Sequence, residues 1–485
     1  MNFTLLQSQF ERLPMLRAVV PFAAGVVLAE YYTLPAMVVW GGFILMGVVA
    51  LVARSSLYVV VALLLFGWGW SDLRALPPDD VPRGVATEFA LCVGDDASAQ
   101  ITAWRDVVQG GWHETDVRVR MRTDSTLNLR AGERLVFRGY LNNFSNKYPS
   151  YSLLMHRRGY AGTIWLSERF VLERETSRGT SLHTMAAERL ERLGLPDQEQ
   201  ALCAAMAAGD RRGLTPELRA AYARSGTSHL LAVSGLHVGI VFMLVNVLLW
   251  WLPILRRGHL WRNAAAIALI WLYATTAGLS PSVVRAALMF SALQLSLASA
   301  SAYVSGNILA ATAFVMMLFR PSYLFDISFQ LSFIAVAAIL VWAVPLCRRL
   351  RSRFWAINVL VDMLVVGVVA ATSTAPLVAH TFGIVSLIGV VVNLFVIPLA
   401  SIAVVGSVVW MVLPIPLLAP LLRFVAGTAA AGLNAVAVRA AALPYGAFEY
   451  TLTIPQTVGV YLCFVVLTLL LQREKPKKTI PLHPC

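Results

Sequence analysis

The chain has 485 residues, of which 58% are hydrophobic and 13% charged, and its mean hydropathy is +0.69. These values exclude an ordinary soluble globular protein and are typical of a chain that crosses a membrane several times. The formal net charge of +13 is carried mainly by arginine, because only four of the 39 basic residues are lysines. Arginine suits bidentate contacts with phosphate groups. The five cysteines form no Cys-x-x-Cys or Cys/His cluster, so the sequence predicts no metal site and no cofactor, and it leaves a disulfide between Cys92 and Cys203 open.

Three apolar runs open the chain, near Pro14 to Tyr31, Leu34 to Ala53 and Leu57 to Leu73. Each is close to the roughly 20 residues that a helix needs to cross a bilayer. The sequence therefore predicts about three transmembrane helices within residues 1–76, ended by Pro77-Pro78-Asp79-Asp80.

Residues 77–180 contain no run of membrane length. They show short, often alternating apolar segments separated by Gly, Asp and Asn, and five such segments predict a small β-barrel outside the membrane. The segments lie near Val85 to Val93, Ala99 to Val107, Thr115 to Arg122, Glu133 to Leu141 and Gly162 to Leu172.

Basic and aromatic residues are interleaved in this predicted barrel. In Val117-Arg-Val-Arg-Met-Arg122, strict alternation predicts a row of arginines on one face and apolar side chains in the core. Such a face beside tyrosines fits a groove for single-stranded nucleic acid, in which a stacked base contributes about 1 to 3 kcal/mol. A solvated basic face over ordinary core aromatics explains the same pattern without a ligand. The candidate nucleic-acid contacts are Arg118, Arg120, Arg122, Arg138, Tyr140 and Tyr148.

Residues 181–228 carry apolar residues at helical spacing in Ser181 to Leu193, and again in Gln200 to Ala223 around the turn Gly209-Asp-Arg-Arg-Gly213. This spacing predicts a connector of amphipathic helices that lie on the surface.

Residues 229–473 contain about nine further apolar runs, and with the first three they predict a polytopic all-α membrane protein of about twelve transmembrane helices. The short or broken runs near Pro281 and Ser305 also permit a re-entrant pair. The runs are His229 to Leu252, Asn263 to Gly278, Pro281 to Ala302, Ser305 to Phe319, Ser328 to Leu346, Ala356 to His380, Ile384 to Leu413, Leu417 to Leu443 and Ile454 to Leu471.

Basic clusters predict the sidedness of these runs. If every run crosses, the clusters at residues 256–262 and 347–353 and the basic tail, residues 474–485, all fall on one side. The positive-inside rule assigns that side to the cytoplasm. Both termini are then cytoplasmic, and the predicted barrel is external.

Polar residues enter these apolar runs at a few places. Ser234 and His237 are three residues apart and share one helix face, and burying such groups in hydrocarbon without partners costs a few kcal/mol each. Arg285 lies early in another run, and Asp326 is predicted to neutralise it. These groups either line a wet path or bridge helices and fix their packing. The candidate path residues are His229, Ser234, His237, Arg285, Asp326, Gln330, His380 and Asn393.

Several of these residues lie in long motifs that resemble the ComEC-type competence proteins. The stretch SHLLAVSGLHVGI, Ser228 to Ile240, is the most specific of them. It is accompanied in the same order by YSLLMHRRGYAGTI (Tyr151 to Ile164) upstream and by GLSPSVVRAALM (Gly278 to Met289), PSYLFDISFQLSFIAV (Pro321 to Val336) and HTFGIVSLIGVVVNLFVIPLAS (His380 to Ser401) downstream.

This resemblance implies an inner-membrane channel that translocates single-stranded DNA into the cytoplasm during natural transformation, with an external OB-like domain, residues 77–180, that receives the strand. The chain shows no Gly-x-x-x-x-Gly-Lys-Ser/Thr motif and no His-x-His-x-Asp-His motif, so neither a motor nor the metallo-β-lactamase-like nuclease of many relatives is expected in it, and it is not expected to be an enzyme. The expected partners are single-stranded DNA, an external DNA receptor, a cytoplasmic helicase or ATPase and a separate nuclease, with a homo-oligomer left open.

Two other functions fit parts of the pattern. An intramembrane serine hydrolase would use Ser234 as nucleophile and His237 or His380 as base, although a Ser and a His on adjacent turns of one helix rarely align for proton transfer. A small-solute transporter would show an inverted repeat between two halves of the bundle, and the sequence shows none convincingly.

Overall fold

The computed structural model describes residues 14–74, 80–94, 98–107, 110–123, 129, 132–144, 149–157, 159–175, 182–254, 256–299, 305–443 and 446–473. The chain forms two compact units. The first unit contains residues 1–215, 229–333 and 397–434, and the second contains residues 216–228, 334–396 and 435–485. The predicted basic tail, residues 474–485, lies outside the described residues.

The first unit begins with three apolar helices, α1 (Pro14–Tyr31), α2 (Ala36–Ala53) and α3 (Ser56–Leu73), as the sequence predicts. Helices α1 and α3 pack backbone to backbone at two glycines. A Cβ atom on Gly25 would overlap Leu64 O, and one on Gly67 would overlap Phe22 O. Glycine is therefore required at both positions of this crossing.

A seven-stranded sheet follows, in the order β5-β6-β3-β2-β1-β4-β7. Strands β3 and β6 pair in parallel, and the other neighbours are antiparallel. The hydrophobic core of this sheet domain contains Phe89, Leu91, Ile101, Leu135 and Ile164, each no more than 1% exposed. The elements are β1 (Thr87–Val93), β2 (Ser98–Asp106), β3 (His113–Thr123), β4 (Arg134–Gly139), β5 (Leu141–Asn142), α4 (Pro149–Arg157), β6 (Thr163–Leu166) and β7 (Val171–Glu175).

The prediction of a five-stranded barrel is corrected in two respects. Two predicted segments each form two strands, because Gly139 ends β4 before β5 and the 3-10 turn Glu168–Phe170 separates β6 from β7. The sheet also does not close: among the described strands, β5 pairs only with β6 and β7 only with β4. Strand β5 contributes only two residues, too few to close a barrel.

The alternation predicted for β3 is confirmed. Val117, Val119 and Met121 are buried in the sheet core. Arg118 and Arg122 are exposed, and Arg120 is half-buried. The arginine row therefore lies on the outer face of the sheet.

The connector forms α5 (Leu182–Glu191) and α6 (Asp197–Ala207) in the first unit and α7 (Pro216–Arg224) in the second. Helices α5 and α6 do not lie on the surface as predicted, whereas α7 has only Leu218 and Tyr222 buried. Six of the eleven residues of α6 are buried. The loop after α5 accepts a hydrogen bond at Leu193 O from Arg423 Nε at 2.8 Å, and Arg189 O at the end of α5 accepts one from Trp410 Nε1 at 2.8 Å. Apolar helical spacing does not distinguish a helix packed on protein from one packed on lipid.

The remaining helices of the first unit are α8 (Gly235–Leu248), α9 (Gly258–Thr276), α10 (Pro281–Ser299) and α11 (Ser305–Phe319). Three more helices each have part of their length in this unit: α12 (Ile327–Ala338), α15 (Gly389–Val412) and α16 (Ala419–Ala441). Helices α8, α9 and α10 pack on one another and are called the α8–α10 group below.

The second unit contains the π-helical turn Ile339–Ala343, α13 (Val344–Arg349), α14 (Trp355–Phe382), the strand pair β8 (Ile384–Ser386) and β9 (Ala447–Glu449), and α17 (Ile454–Arg473). Strands β8 and β9 are antiparallel. Arg351 forms an ion pair with Asp362 at 3.4 Å.

Eight helices in the described part of the chain are long and apolar enough to cross a membrane, so the predicted number of about twelve is not supported. Helix α11 and the apolar part of α17, Ile454–Leu470, are shorter. Helices α9 and α10 have 19 residues each but carry polar side chains such as Arg262, Asn263 and Gln294. Those same polar side chains connect the helices of the α8–α10 group, as described below.

Candidate functional site

A cavity of about 750 Å³ lies within the first unit, where the sheet, the connector and the ends of several helices meet. The sheet contributes one wall, the loop after α6 a second, and the starts of α10 and α12 the floor. The residues that line it include Cys92, Gln100, Arg118, Arg157, Tyr160, His183, Gly209, Asp210, Arg211, Arg212, Val233, the segment 277–281, Arg320, Tyr323, Asp326 and Ser328.

The lining of this cavity is cationic. It contains five arginines, namely 118, 157, 211, 212 and 320, against two aspartates. Burial opposes the charged form of Asp210, but the hydrogen bonds from Arg212 outweigh it and lower the pKa of Asp210. Asp210 therefore neutralises part of this charge, and Asp326 accepts a hydrogen bond from Ser328 N at 2.8 Å. The surplus of arginine makes the cavity suited to an anion.

Aromatic rings lie against three of the five arginines. The guanidinium carbon of Arg118 is 4.8 Å from the ring centre of Tyr160, and that of Arg320 is 5.9 Å from that of Tyr323. Arg157 lies over Phe325 at 4.1 Å and forms an ion pair with Glu30, at the end of α1, at 2.9 Å. Cation–π contacts of this kind hold planar guanidinium groups in fixed positions.

Of the predicted nucleic-acid contacts that the structure describes, only Arg118 lines this cavity. Arg138 instead forms an ion pair with the buried carboxylate of Glu88 at 2.5 Å, and Tyr140, the residue between β4 and β5, is 53% exposed. Tyr148 lies outside the described residues. Arg120 and Arg122 follow Arg118 along β3 but do not line the cavity.

The motif Ser234 to His237 forms the start of α8. Ser234 has an extended backbone, and its N–H donates a hydrogen bond to His237 Nδ1 at 3.3 Å. His237 is fully buried, and its Nε2 has no hydrogen-bond partner. Because Nδ1 is occupied by a backbone N–H, it is not available to accept a proton from the Ser234 hydroxyl. This geometry does not support the hydrolase alternative with His237 as base.

The predicted ion pair between Arg285 and Asp326 does not form among the described residues. The Arg285 side chain lies beside Gly235, at the first turn of α8, and its Nη1 contacts Met289 Sδ at 3.9 Å. Arg285 is 7% exposed, and its Nε has no partner. Arg285 lies near the start of α10 and Asp326 just before the start of α12, but similar positions along their helices do not make two residues neighbours.

The other predicted path residues are distributed over both units. His229 is exposed in the 3-10 turn before α8, and Gln330 donates to Leu324 O at 2.9 Å. In the second unit, His380 Nδ1 lies 2.8 Å from Leu452 O, and Asn393 has a buried Oδ1 without a partner. Ser234, His237 and Arg285 are therefore the members of the set that the first unit brings together.

Sequence reasoning missed a polar network at the other end of the α8–α10 group. Gln294 Nε2 donates to Asn263 Oδ1 at 2.7 Å, and Arg262 Nη2 donates to Asn246 Oδ1 at 3.1 Å. Gln294 also lies 3.5 Å from Asn246 Oδ1, which joins the three helices. Each residue stands alone in its own apolar run, so no sequence signal shows that they converge.

Helices α8 and α10 run parallel to each other. Gly235 faces Arg285, Gly239 faces Phe290, and Asn246 faces Gln294. Between the polar ends, Phe242 and Phe290 stack with ring centres 4.7 Å apart. The interface is thus polar at both ends and aromatic in the middle.

The two free cysteines of greatest interest are Cys92 and Cys203, which form no disulfide. Cys92 lines the cavity, and Cys203 is fully buried in α6. Burial raises the pKa of the Cys203 thiol to about 11.

These features define a multi-pass membrane protein with a sheet domain and a cationic cavity at one end of its helices. The family model described as Competence protein matches residues 206–476, more than half of the chain, and the chain belongs to that family. This confirms the resemblance to ComEC-type competence proteins. The match includes Ser234, His237 and Arg285 but begins after the sheet.

Two curated proteins are similar to parts of the chain. It is 33% identical over 211 residues to "ComE operon protein 3" of Bacillus subtilis (strain 168), which covers 42% of this chain and 25% of that protein. It is 32% identical over 169 residues to an "Uncharacterized protein" of Aquifex aeolicus (strain VF5), which covers 35% of this chain and 37% of that protein. The matched region therefore spans about a quarter of the first relative and little more than a third of the second. No solved structure matches the chain.

Proposed function

We propose that this protein conducts single-stranded DNA through the cytoplasmic membrane during competence, and that the arginine-lined cavity receives the strand. The observation that supports this proposal is the surplus of arginines in a cavity that extends to the family motif Ser228 to Ile240. Arg118 of the sheet and Val233, the residue before Ser234, line the same cavity. A cationic, water-accessible cavity attracts a polyanion and raises its local concentration.

The cavity suits a single strand better than a duplex. Tyr323 is half-buried beside Arg320 in the lining and is the ring available to a base, whereas Tyr160 is buried and lies under the guanidinium of Arg118. Unpaired bases stack on such rings, whereas a duplex hides its base faces. We therefore propose that one sheet strand and its neighbours, and not a closed OB-like barrel, take the role predicted for the external domain.

Transport into the cytoplasm needs an energy source. Moving a phosphate into a negative interior is opposed by about 2.3 kcal/mol per charge for each 100 mV. We therefore propose a cytoplasmic helicase or ATPase as the motor, an external receptor that delivers DNA and a separate nuclease. The orientation that we propose follows the positive-inside rule, with the sheet domain external and both termini cytoplasmic.

A matched pair of arginines on one strand tests the proposal. Arg118→Gln removes a cavity charge, and Arg122→Gln removes an exposed charge four residues away that does not line the cavity. We expect Arg118→Gln combined with Arg320→Gln to reduce internalisation of labelled DNA several-fold, and to reduce the salt slope of single-strand binding by about 0.7 for each lost phosphate contact. Arg122→Gln should change neither. Equal internalisation by all variants would remove the cavity from the path.

Cys92 supplies an independent readout at the cavity wall. We expect a saturating oligonucleotide to slow maleimide labelling of Cys92 in the purified protein, because the strand would occupy the cavity that Cys92 lines. Cys463, which is exposed in the second unit, is the control and should label at the same rate with and without the oligonucleotide. Cys203 should not label near pH 8, because it is buried and its pKa is raised to about 11. Unprotected Cys92 would count against occupation of the cavity.

A further inference from the structure

We infer that the N-terminus of α8, together with Arg285, forms a phosphate-binding site next to the arginine-lined cavity. This inference rests on the proposed function, and it specifies which part of the strand is held: a phosphodiester group. The site consists of backbone N–H groups of the first turn of α8, the Arg285 guanidinium and the His237 ring.

The first turn of α8 supplies backbone donors that take no part in the helix ladder, and the Ser234 side chain caps one of them, the N–H of His237. The hydrogen-bond ladder of this 14-residue helix begins with Val238 N donating to Ser234 O at 3.2 Å. The N–H groups of Gly235, Leu236 and His237 therefore have no partner in the ladder. They carry the positive end of the helix dipole, which favours an anion.

Arg285 is the second, independent observation. Its Nη2 lies 2.7 Å from the position that a Cβ atom on Gly235 would take, so the guanidinium faces the first turn of α8 directly. The side chain is 7% exposed, its Nε is buried without a partner, and no carboxylate of the described residues pairs with it. A cation beside the positive end of a helix is unfavourable unless an anion lies between them.

His237 adds a third donor. Because its Nδ1 accepts the Ser234 N–H, the proton of the neutral ring lies on Nε2, which is fully buried and has no partner. A phosphate oxygen would satisfy the guanidinium, the helix amides and this ring N–H together. Of these donors, Arg285 Nε and His237 Nε2 are buried without a hydrogen-bond partner among the described residues.

Gly235 and the cavity lining explain how a strand would reach the site. Any side chain at position 235 would occupy the space of Arg285 Nη2, so glycine keeps the guanidinium close to the helix amides. Val233 and Pro281, which precede Ser234 by one residue and Arg285 by about one helical turn, both line the cavity. The site therefore adjoins the space that the proposed strand occupies.

The phosphate could belong to a DNA strand or to a lipid headgroup, and binding assays on the full-length chain in a non-ionic, lipid-free detergent distinguish the two. The first probe is a fluorescent oligothymidylate, and the second is the same sequence with neutral methylphosphonate linkages. We expect Arg285→Gln to weaken binding of the charged probe by about tenfold, as the loss of a charge-assisted contact does, and to leave the neutral probe unaffected.

Three further variants complete the binding assay. Arg285→Lys should recover part of the affinity, since lysine keeps the positive charge but lacks the planar, bidentate donors of the guanidinium group. Gly235→Ala should weaken binding although Arg285 is retained. Arg262→Gln is the matched control, because Arg262 belongs to the same helix group but has its own partner in Asn246. The affinity of this variant for the charged probe should stay within about twofold of that of the wild type.

Two results would overturn the inference. The first is unchanged affinity for the charged probe in both Arg285→Gln and Gly235→Ala. The second combines two measurements with phosphatidylglycerol. The lipid would displace the charged probe equally from the wild type and from Arg285→Gln, and it would raise the unfolding temperature of the wild type but not that of Arg285→Gln. That combination would assign the site to a lipid headgroup.

Thermal unfolding with inorganic phosphate separates this inference from the proposed function. Phosphate should raise the unfolding temperature of the wild type and leave that of Arg285→Gln unchanged, and equal stabilisation of both would contradict the site. If cells carrying the wild-type protein internalised no DNA, the proposed function would fail, while the phosphate result would still decide whether the site exists. If Arg285→Gln does not fold, Gly235→Ala carries the same measurement.

Discussion

The sheet domain and the α8–α10 group both bury charged side chains, but they treat them differently. In the sheet, the carboxylate of Glu88 is 6% exposed and receives Arg138 at 2.5 Å and Arg105 at 2.6 Å. In the helix group, Arg285 is as deeply buried and meets only a methionine sulfur and a helix N-terminus. We interpret Glu88, with its two arginine partners, as a charge that supports the fold, and Arg285, which has no carboxylate partner among the described residues, as a charge that serves binding.

The largest expected effect tests the sheet side of this comparison. Glu88→Gln removes both ion pairs and leaves two arginines facing a neutral amide, and we expect it to reduce the free energy of unfolding of the sheet domain by about 2 kcal/mol, a value moderated because both arginines are partly exposed. Thermal unfolding and limited proteolysis of the full-length chain measure it. Glu114→Gln, an exposed carboxylate on β3, is the control and should change stability by less than about 0.5 kcal/mol.

The same pair predicts a pH dependence. Hydrogen bonds from Arg138 and Arg105 lower the pKa of Glu88, so its stabilising contribution is complete above the usual carboxyl pKa near 4.5 and is lost as the pH falls through the lower folded-state pKa. The difference in unfolding temperature between wild type and Glu88→Gln should therefore be constant from pH 7 to about pH 5 and shrink on further acidification. A difference that grew on acidification would contradict the assigned ion pairs.

The helix group should respond in the opposite sense. Arg285→Met removes a buried charge that lacks a carboxylate, and we expect the free energy of unfolding to stay equal or to rise by about 1 kcal/mol, even though DNA affinity falls. Thermal unfolding in detergent, without phosphate or DNA, measures this. A clear loss of stability would show that Arg285 supports the fold, as Glu88 does, and the contrast between the two regions would disappear.

The smallest expected effect concerns the polar network at the far end of the same group. Gln294→Leu removes the hydrogen bond to Asn263 and should cost about 1 kcal/mol or less while leaving DNA affinity unchanged. Oligonucleotide binding and thermal unfolding of this variant check both parts. A large loss of affinity would extend the functional region of the α8–α10 group from its first turn to its far end.

Much of the fold follows from residue pattern alone. Apolar length predicts α1 to α3, and alternation predicts the outward arginines and the buried Val117, Val119 and Met121 of β3. Alternation is a property of one strand, so it is readable from one stretch of sequence. Closure of the sheet depends on its two edges meeting, which no single stretch encodes, and the barrel prediction is wrong for that reason.

The candidate site, too, depends on contacts between separate helices that no single stretch of sequence encodes. The motifs identified Ser234, His237 and Arg285, but the sequence suggested Asp326 as the partner of Arg285 because it shows charge and position along a helix and not which helices are neighbours. The position of the Arg285 side chain depends on Gly235 and not on the charge of Asp326, because the absence of a side chain at Gly235 lets the guanidinium lie against the first turn of α8. The network of Asn246, Asn263 and Gln294 went unrecognised because each member is an isolated polar residue until the helices pack.

Arg157 has a mechanical consequence for the cavity. It extends from α4 of the sheet domain, is bonded to Glu30 at the end of α1 and lies over Phe325 just before α12. One side chain thus fastens the sheet to two membrane helices, and the entrance cannot widen by swinging the sheet outward without breaking both contacts. In the transport proposed above, a strand that enters while both contacts are intact would have to do so without an outward movement of the sheet.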